Sequence, residues 1–237
     1  MHLRSTTVRI LFVAIACAGL GACRTRDYTG TRQAGEQPVA KPAQRIVIPP
    51  PPAKHQGPVE GAWYIPRAKW SVQPIAMSNI TPMGRKPYRI TIHHSSDIAL
   101  PNGMQESGDP VKVLQYIERT HMLGIGKNEP FACIGYHYII SADGCVWEGR
   151  PLKFQGAHST GDNNIGNIGL CLLGNFERHA VPAPQRAALI STLDRLVKTH
   201  GIAKSRETIV GHKHFKATDC PGRHLDPIVR AYADGGR

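Results

Sequence analysis

The chain has 237 residues, of which 41% are hydrophobic and 19% are charged, so it holds enough apolar material for one folded domain with additional tails. Its formal net charge is +12, which favours anionic partners, although a solvated basic face without a dedicated partner is equally consistent with it. No run of five or more lysines and arginines occurs, and we therefore predict that the chain does not bind nucleic acid.

The first 22 residues have the pattern of an export signal. Arg4 and Arg9 supply its basic start, and an apolar stretch over residues 10–18 follows. This stretch is too short to span a bilayer as a helix in the mature protein. We therefore predict that residues 1–22 are a signal peptide that is removed.

A Leu-Gly-Ala-Cys sequence ends at Cys23, directly after that signal. It resembles the lipobox of bacterial lipoproteins, in which cleavage before the cysteine leaves it as the lipid-bearing N-terminus. The resemblance implies that Cys23 is lipidated and anchors the protein in a membrane. Arg24 rather than aspartate follows, which favours the outer membrane, with the protein facing the periplasm. A plain secretory signal with a chance cysteine is the alternative.

Residues 23–61 predict a lipidated N-terminus followed by a proline-rich tether. This segment lacks apolar periodicity and is rich in proline, glutamine, glycine and basic residues, and the run Pro49–Pro52 favours a stiff, extended backbone. As a flexible coil, about 38 residues average roughly 35 Å from end to end. Such a length suits a domain that hangs from a membrane.

Five β-strands are predicted in the remaining part of the chain, residues 62–237. Their alternating or continuous apolar patterns cover Tyr88–His93, Ile134–Ile140, Cys145–Glu148, Ile168–Leu173 and Thr208–Val210. Between the second and third, the sequence Ser-Ala-Asp-Gly at residues 141–144 is typical of a four-residue hairpin turn.

Three helices are predicted between and after these strands. The first has Asp109 as N-cap and Pro110 at its first position and runs to about Met122. The others cover Pro184–Lys198 and Leu225–Tyr232. Strands that alternate with helices, together with one hairpin, predict an α/β fold with a central mixed sheet of about five strands flanked by about three helices.

Histidines and a cysteine follow two of the predicted strands. His93 and His94 end the first, and His212 and Cys220 lie eight residues apart after the last. Two imidazoles and one thiolate can close three corners of a zinc tetrahedron and leave the fourth for water, as in catalytic zinc sites. Adjacent strand residues point to opposite faces, so only one of His93 and His94 can face a metal. His214 competes with His212 in the same way.

Seven segments match the motifs of one family, in order, over roughly residues 65–231. They are Ile65–Trp70, Ile92–Ser95, Leu114–Met122, Ile134–Ile140, Asp143–Arg150, Gly156–Phe176 and Gly211–Gly222. The last fits the pattern G-H-x5-T-x-C-P-G at every fixed position. In these segments the chain resembles the type-2 N-acetylmuramoyl-L-alanine amidases and the peptidoglycan recognition proteins, which share one fold.

This resemblance implies a site and a reaction. It assigns His93, His212 and Cys220 as ligands of one Zn²⁺ per chain, and Tyr136 as the catalytic tyrosine. Thr218 matches a position where the family has threonine or lysine, and its hydroxyl is expected to assist catalysis. The implied reaction is hydrolysis of the amide bond between N-acetylmuramic acid and L-alanine in peptidoglycan. The alternative is a non-catalytic peptidoglycan-binding receptor of the same fold, a class that typically lacks the cysteine ligand.

Three further residues are predicted to contact peptidoglycan or muropeptides: His158, His94 and Arg150. For Arg150, an ion pair with Glu148 is the structural alternative, and for Tyr136 the alternative is core packing. After the E-G-R motif, residues 151–152 are Pro-Leu, not the Gly-Trp that family members associated with diaminopimelate-type stems carry. The stem type is therefore not predicted.

Six cysteines are present. One belongs to the signal, and Cys23 and Cys220 have the roles given above. The remaining three are Cys133, Cys145 and Cys171. They allow at most one disulfide bond, and the sequence does not choose among the three possible pairs. The alternative is that all three are small buried apolar residues.

Overall fold

Five strands and three α-helices make up the regular structure of residues 62–96, 108–124 and 129–236, which are the residues that the computed structural model describes. The strands are β1 (Arg89–His94), β2 (Tyr138–Ile140), β3 (Val146–Glu148), β4 (Asn167–Leu172) and β5 (Ile209–Gly211). The helices are α1 (Pro110–Leu123), α2 (Ala183–His200) and α3 (Asp226–Ala233). The predicted signal peptide and tether, with Cys23, lie outside the described residues.

The strands form one mixed sheet in the order β3-β2-β4-β1-β5. β1 is parallel to β4 and β5, β2 is parallel to β4, and only β3 runs antiparallel, as the hairpin partner of β2. The predicted mixed α/β fold is confirmed. Because β1 and β5 are parallel neighbours, the residues that follow their carboxyl ends emerge at the same edge of the sheet.

Side chains alternate along the strands between two apolar layers. On one face, Ile92 of β1 packs in a cluster with Leu193 of α2 and Val229 of α3. On the other face, Cys171 of β4 packs in a cluster with Leu114 of α1. The sheet is therefore covered on both faces, which explains why its strands read as nearly continuous apolar runs.

The predicted start of α1 is confirmed in detail. Asp109 caps the helix, with its Oδ1 accepting a 3.0 Å hydrogen bond from the backbone N–H of Val111, and Pro110 takes the first helical position. The predicted strand Ile134–Ile140 is shorter in the structure, where only Tyr138–Ile140 pairs as a strand. The preceding segment bonds elsewhere, since Gly135 donates to the ring of His121 and accepts from the backbone of Ala157.

The first motif, Ile65–Trp70, is anchored by a buried ion pair. Arg67 donates to the carboxylate of Glu118 in α1 at 2.7 Å, and the Glu118 side chain is fully buried. The Trp70 indole donates to the backbone carbonyl of Glu148 at 2.7 Å. This motif therefore ties the start of the domain to α1 and β3.

The four cysteines among the described residues are free thiols. Cys133 and Cys171 are fully buried and Cys145 is half-buried. The first two thus match the expectation of small buried apolar residues, and no disulfide bond joins the described cysteines. Across the described part of the chain, none of the helices combines the length and apolarity that crossing a bilayer demands.

Candidate metal centre and cleft

Two imidazoles and one thiol meet at the carboxyl edge of the sheet. The candidate ligand atoms of His93, His212 and Cys220 all lie within 4.8 Å of one another. Nδ1 of His93 is 3.7 Å from Sγ of Cys220. In a tetrahedral zinc site, bonds of about 2.1 Å to nitrogen and 2.3 Å to sulfur separate those two atoms by about 3.6 Å. These residues therefore fit a zinc ion with three protein ligands.

The parallel pairing of β1 and β5 creates this cluster. Ile92 of β1 is the register partner of Gly211, the last residue of β5. The residues that follow these two in the sequence, His93 and His212, are candidate ligands. Cys220 is brought back to the same edge because its carbonyl accepts from the N–H of Lys213 at 2.9 Å. Its sulfur lies 3.5 Å from the N–H of His94. Two strand ends and one returning loop thus supply the three ligands.

The pKa values of the two imidazoles and of the thiol are shifted in opposite directions. Burial, helped by neighbouring histidines and Lys216, holds the pKa of His93 well below its usual range. Burial also lowers the pKa of His212 to about 4, with Lys216 acting in the same direction. Burial raises the pKa of Cys220 to about 11, although the His94 N–H and Lys216 oppose this shift. Without metal at neutral pH, the site therefore holds two neutral imidazoles, ready to ligate, and one protonated thiol.

The structure resolves both histidine alternatives. His93 faces the cluster, whereas the His94 ring lies on the other side of β1, where its Nδ1 accepts from the N–H of Phe176 at 3.2 Å. His212 joins the cluster, whereas His214 is exposed and its ring contacts Phe215.

An open cleft of about 630 Å³ lies beside the cluster. It is lined by His121, Tyr136, Arg150, His158, His212 and Lys216, among others. The cleft is large enough for part of a sugar–peptide ligand. It also carries a cation on its rim, since Lys216 is exposed.

Tyr136 is half-buried against the cluster of candidate ligands. Its ring centroid lies 5.2 Å from that of His93. Burial, together with the neighbouring thiols of Cys171 and Cys220, raises the pKa of the Tyr136 phenol well above its ordinary value. The phenol therefore stays protonated at neutral pH and can donate a hydrogen bond into the cleft. Tyr138, two residues further along the same segment, packs instead in the core against Trp63.

Residues 83–226 match the family model described as N-acetylmuramoyl-L-alanine amidase (Amidase_2). The chain belongs to this amidase family. The match covers well over half of the chain, and it includes the cleft residues Tyr136 and Lys216 and the three candidate ligands.

Several proteins are similar to this amidase-family chain. A peptidoglycan-recognition protein of Drosophila simulans is 32% identical over 162 residues, which are 68% of this chain and 82% of that protein. Among solved structures, the N-acetylmuramoyl-L-alanine amidase LysC from Clostridium intestinale URNW is 25% identical, with a TM-score of 0.54 over 70% of this chain and 97% of that one. Peptidoglycan recognition protein LE, solved in complex with tracheal cytotoxin, a monomeric diaminopimelic acid-type peptidoglycan, is 25% identical, with a TM-score of 0.55 over 69% and 90% of the two chains.

In this amidase-family site, Thr218 and Arg150 make structural contacts. The Thr218 hydroxyl accepts from the N–H of Cys220 at 3.3 Å and is not among the residues that line the cleft. Arg150 is 4% exposed and donates to three backbone carbonyls. These belong to Ile134, Gln155 and Cys133, at 3.0, 2.9 and 3.2 Å. The ion pair with Glu148, the structural alternative for Arg150, is not formed, because these carbonyls accept from the guanidinium while Glu148 accepts from the N–H of Arg67.

The other predicted substrate contacts divide between two environments. His158 lines the cleft and lies against His93, with 3.1 Å between His158 Nδ1 and His93 Nε2. His94 is buried and is not among the cleft-lining residues.

Two residues that line the cleft were not predicted as site residues from the sequence. Lys216 is the cation that acts on all three candidate ligands, and its position between His212 and Cys220 was a usable signal. His121 lines the cleft from the end of α1, and burial lowers its pKa to about 4. Its place within Leu114–Met122, one of the seven family-like segments, was the signal available for it.

Proposed function

We propose that this chain is a zinc-dependent amidase that hydrolyses the bond between N-acetylmuramic acid and L-alanine in peptidoglycan. The observation that carries the proposal is the complete cluster of His93, His212 and Cys220, with its ligand atoms within 4.8 Å of one another beside an open cleft. Membership of the amidase family supports it. A non-catalytic peptidoglycan receptor is the alternative, and the complete ligand set favours the enzyme.

Amide hydrolysis needs a nucleophile and a stabiliser for the oxyanion that develops on the carbonyl. When bound by His93, His212 and Cys220, zinc supplies a Lewis acid and activates water. Tyr136 remains a phenol at neutral pH and donates a hydrogen bond to the developing oxyanion. Thr218 supports the site indirectly, since its hydroxyl holds the N–H of Cys220.

The cleft suits a substrate that combines a sugar with a peptide bearing carboxylates. Peptidoglycan recognition protein LE was solved with a muropeptide of this class, and we propose that this chain binds ligands of the same class. Lys216, exposed on the cleft rim, attracts the peptide carboxylates. His158 and Arg150 border the same space and are proposed to contact the ligand. Arg150 would do so through the guanidinium N–H groups that its three carbonyl bonds leave free, and His158 through ring atoms other than its two hydrogen-bonded nitrogens.

The proposed enzyme is a lipoprotein of the cell envelope. Cys23 follows an export signal and ends a lipobox-like sequence, so lipidation would hold the domain at the periplasmic face of the outer membrane. Cys23→Ser is expected to release the full-length protein into the soluble fraction of cells. Continued fractionation of that variant with membranes would contradict lipidation.

The deciding experiment is digestion of purified peptidoglycan, followed by mass analysis of the soluble products. The proposal predicts sugar-free peptides that begin with L-alanine, their loss on chelation and their return when zinc is added. A matched Cys220→Ser protein should release none. A chain that sediments with peptidoglycan but releases no peptide under any metal condition would be a receptor.

A further inference from the structure

We propose that His158 is a positioning residue that decides which ring nitrogen of His93 faces the metal. The two rings are in direct contact, with 3.1 Å between Nδ1 of His158 and Nε2 of His93. The inference rests on the proposed zinc site but extends beyond its ligands, and it gives His158 a role other than substrate contact.

The backbone fixes the orientation of the His158 proton. Nε2 of His158 lies 3.2 Å from the carbonyl oxygen of Asn167. A carbonyl only accepts hydrogen bonds, so Nε2 must carry the proton. His158 is 7% exposed, and no carboxylate among the described residues pairs with it, so its ring is uncharged and has a single proton. Its Nδ1 is therefore an acceptor.

That acceptor in turn fixes His93. Because Nδ1 of His158 accepts, Nε2 of His93 must donate to it. The single proton of a neutral His93 then sits on Nε2, and the lone pair sits on Nδ1. This is the nitrogen that lies 3.7 Å from Sγ of Cys220. The tautomer required for metal binding is thus set by a chain of two hydrogen bonds that starts at a backbone carbonyl.

The ring of His158 is held tightly enough to perform this role. A Cβ atom on Gly156 or Gly169 would lie 2.4 or 2.3 Å from its Cδ2 atom, so only glycine at both positions leaves room for the ring. The backbone N–H of His158 donates to Asn164 Oδ1 at 3.0 Å. Ser159 Oγ also lies 3.1 Å from Nδ1, and as a hydroxyl it can donate to the same lone pair.

A fixed tautomer matters because a free imidazole divides its proton between both nitrogens, and only one of these forms can ligate. Partners of this kind, one step removed from the metal, typically contribute about 10–100-fold to metal affinity. His158 would therefore strengthen zinc binding without touching the ion.

Two substitutions in the full-length protein separate this role from packing. In His158→Asn, the amide oxygen takes the place of Nδ1 as acceptor, whereas His158→Ala removes the acceptor. Zinc affinity, measured by competition with a chromogenic chelator, should fall by about 10–100-fold in the alanine variant and recover largely in the asparagine variant. Equal zinc affinity in wild type and His158→Ala would overturn the proposal.

A spectroscopic measurement on the metal-free wild type tests the same chain without any variant. Long-range ¹⁵N–¹H spectra should show both His93 and His158 as single Nε2–H tautomers. A mixture, or an Nδ1–H form at either residue, would refute the inference even if His158→Ala failed to fold. Neither readout requires turnover. Fixed tautomers and tight zinc binding in the wild type, without any peptide release, would contradict the proposed function but not this inference. Normal zinc binding and turnover in His158→Ala would contradict this inference but not the proposed function.

Discussion

Nδ1 of His93 lies 3.7 Å from Sγ of Cys220, although 127 positions separate the two residues in the sequence. A metal bound between them, with His212 as third ligand, would join the end of β1 to the loop that follows β5. β5 is a strand of only three residues at the edge of the sheet. The candidate metal centre therefore also braces a short edge strand.

Replacing the sulfur ligand should remove the metal. Cys220→Ser is expected to weaken zinc binding by more than about 100-fold, because a neutral hydroxyl replaces a thiolate. This effect exceeds that of replacing a residue that contacts a ligand but not the metal. Metal analysis after dialysis measures this, and turnover should be lost in parallel. Cys145→Ser is the matched control, since this half-buried thiol is not part of the cluster. Retention of one zinc and full turnover in Cys220→Ser would contradict the ligand assignment.

Zinc binding should release about one proton at pH 7. The pKa of His212 is about 4 and that of His93 is well below its usual value, so both imidazoles are already deprotonated. The pKa of Cys220 is about 11, so its thiol must lose a proton to ligate. Calorimetric titration in buffers of different ionisation enthalpy measures the number of protons released. A value near zero or near two would be inconsistent with this protonation pattern.

Loss of the Tyr136 hydroxyl should affect turnover but not metal binding. Tyr136→Phe is expected to lower the rate by roughly 10²–10³, the usual effect of removing one oxyanion donor, while zinc content stays at one equivalent. Tyr138→Phe, two residues along the same segment but in the core, should leave the rate nearly unchanged. Equal rates for Tyr136→Phe and wild type would exclude the phenol from the reaction.

Buried His137 should make the metal-free protein sensitive to acid. Burial lowers its pKa to about 4, against about 6.5 in the unfolded chain. Below pH 6.5 the unfolded state binds the proton first, so stability falls as the pH drops from 6.5 to 4, by about 3 kcal/mol from this group. His137→Asn keeps an acceptor for the N–H of Gly169, which the His137 ring now provides, but it cannot titrate. Urea unfolding at pH 7 and pH 4.5 should show a smaller pH dependence in that variant, and an unchanged one would refute the assignment.

The buried ion pair between Arg67 and Glu118 should be costly to break. Glu118→Ala leaves the Arg67 guanidinium, only 13% exposed, without its carboxylate, and a loss of about 3–5 kcal/mol in unfolding free energy is expected. The control is Arg206→Ala, which breaks the exposed pair with Asp234 and should change stability little. Similar effects in the two variants would contradict the role given to burial.

Much of the fold could be predicted because its signals are local. Asp109 as N-cap and Pro110 at the first helical position mark the start of α1. The apolar runs of β1 and β4 have the length and composition of buried strands. The candidate metal ligands were predictable in a different way. Spacing reduced the choice to His93 or His94, and the family motif selected His93, which the cluster contains.

The remaining contacts could not be predicted because the sequence does not mark them locally. Arg150 donates to three backbone carbonyls and not to the nearby Glu148. Every residue has a backbone carbonyl, so the sequence does not indicate which carbonyls will accept these bonds. The contact between His93 and His158 joins residues 65 positions apart. It depends on the register of β4 beside β1, which no single strand specifies by itself.

The space around His158 has a consequence for how this protein can vary. At Gly156 and Gly169 a lone hydrogen stands where any other residue would place carbon, and that carbon would collide with the imidazole. A methyl group at either point would tilt the ring of His158, and because this ring contacts His93 the displacement would reach the candidate metal centre, although neither glycine is one of the candidate ligands. Substitutions over evolutionary time should therefore be poorly tolerated at these two positions, although neither has a side chain that takes part in the site.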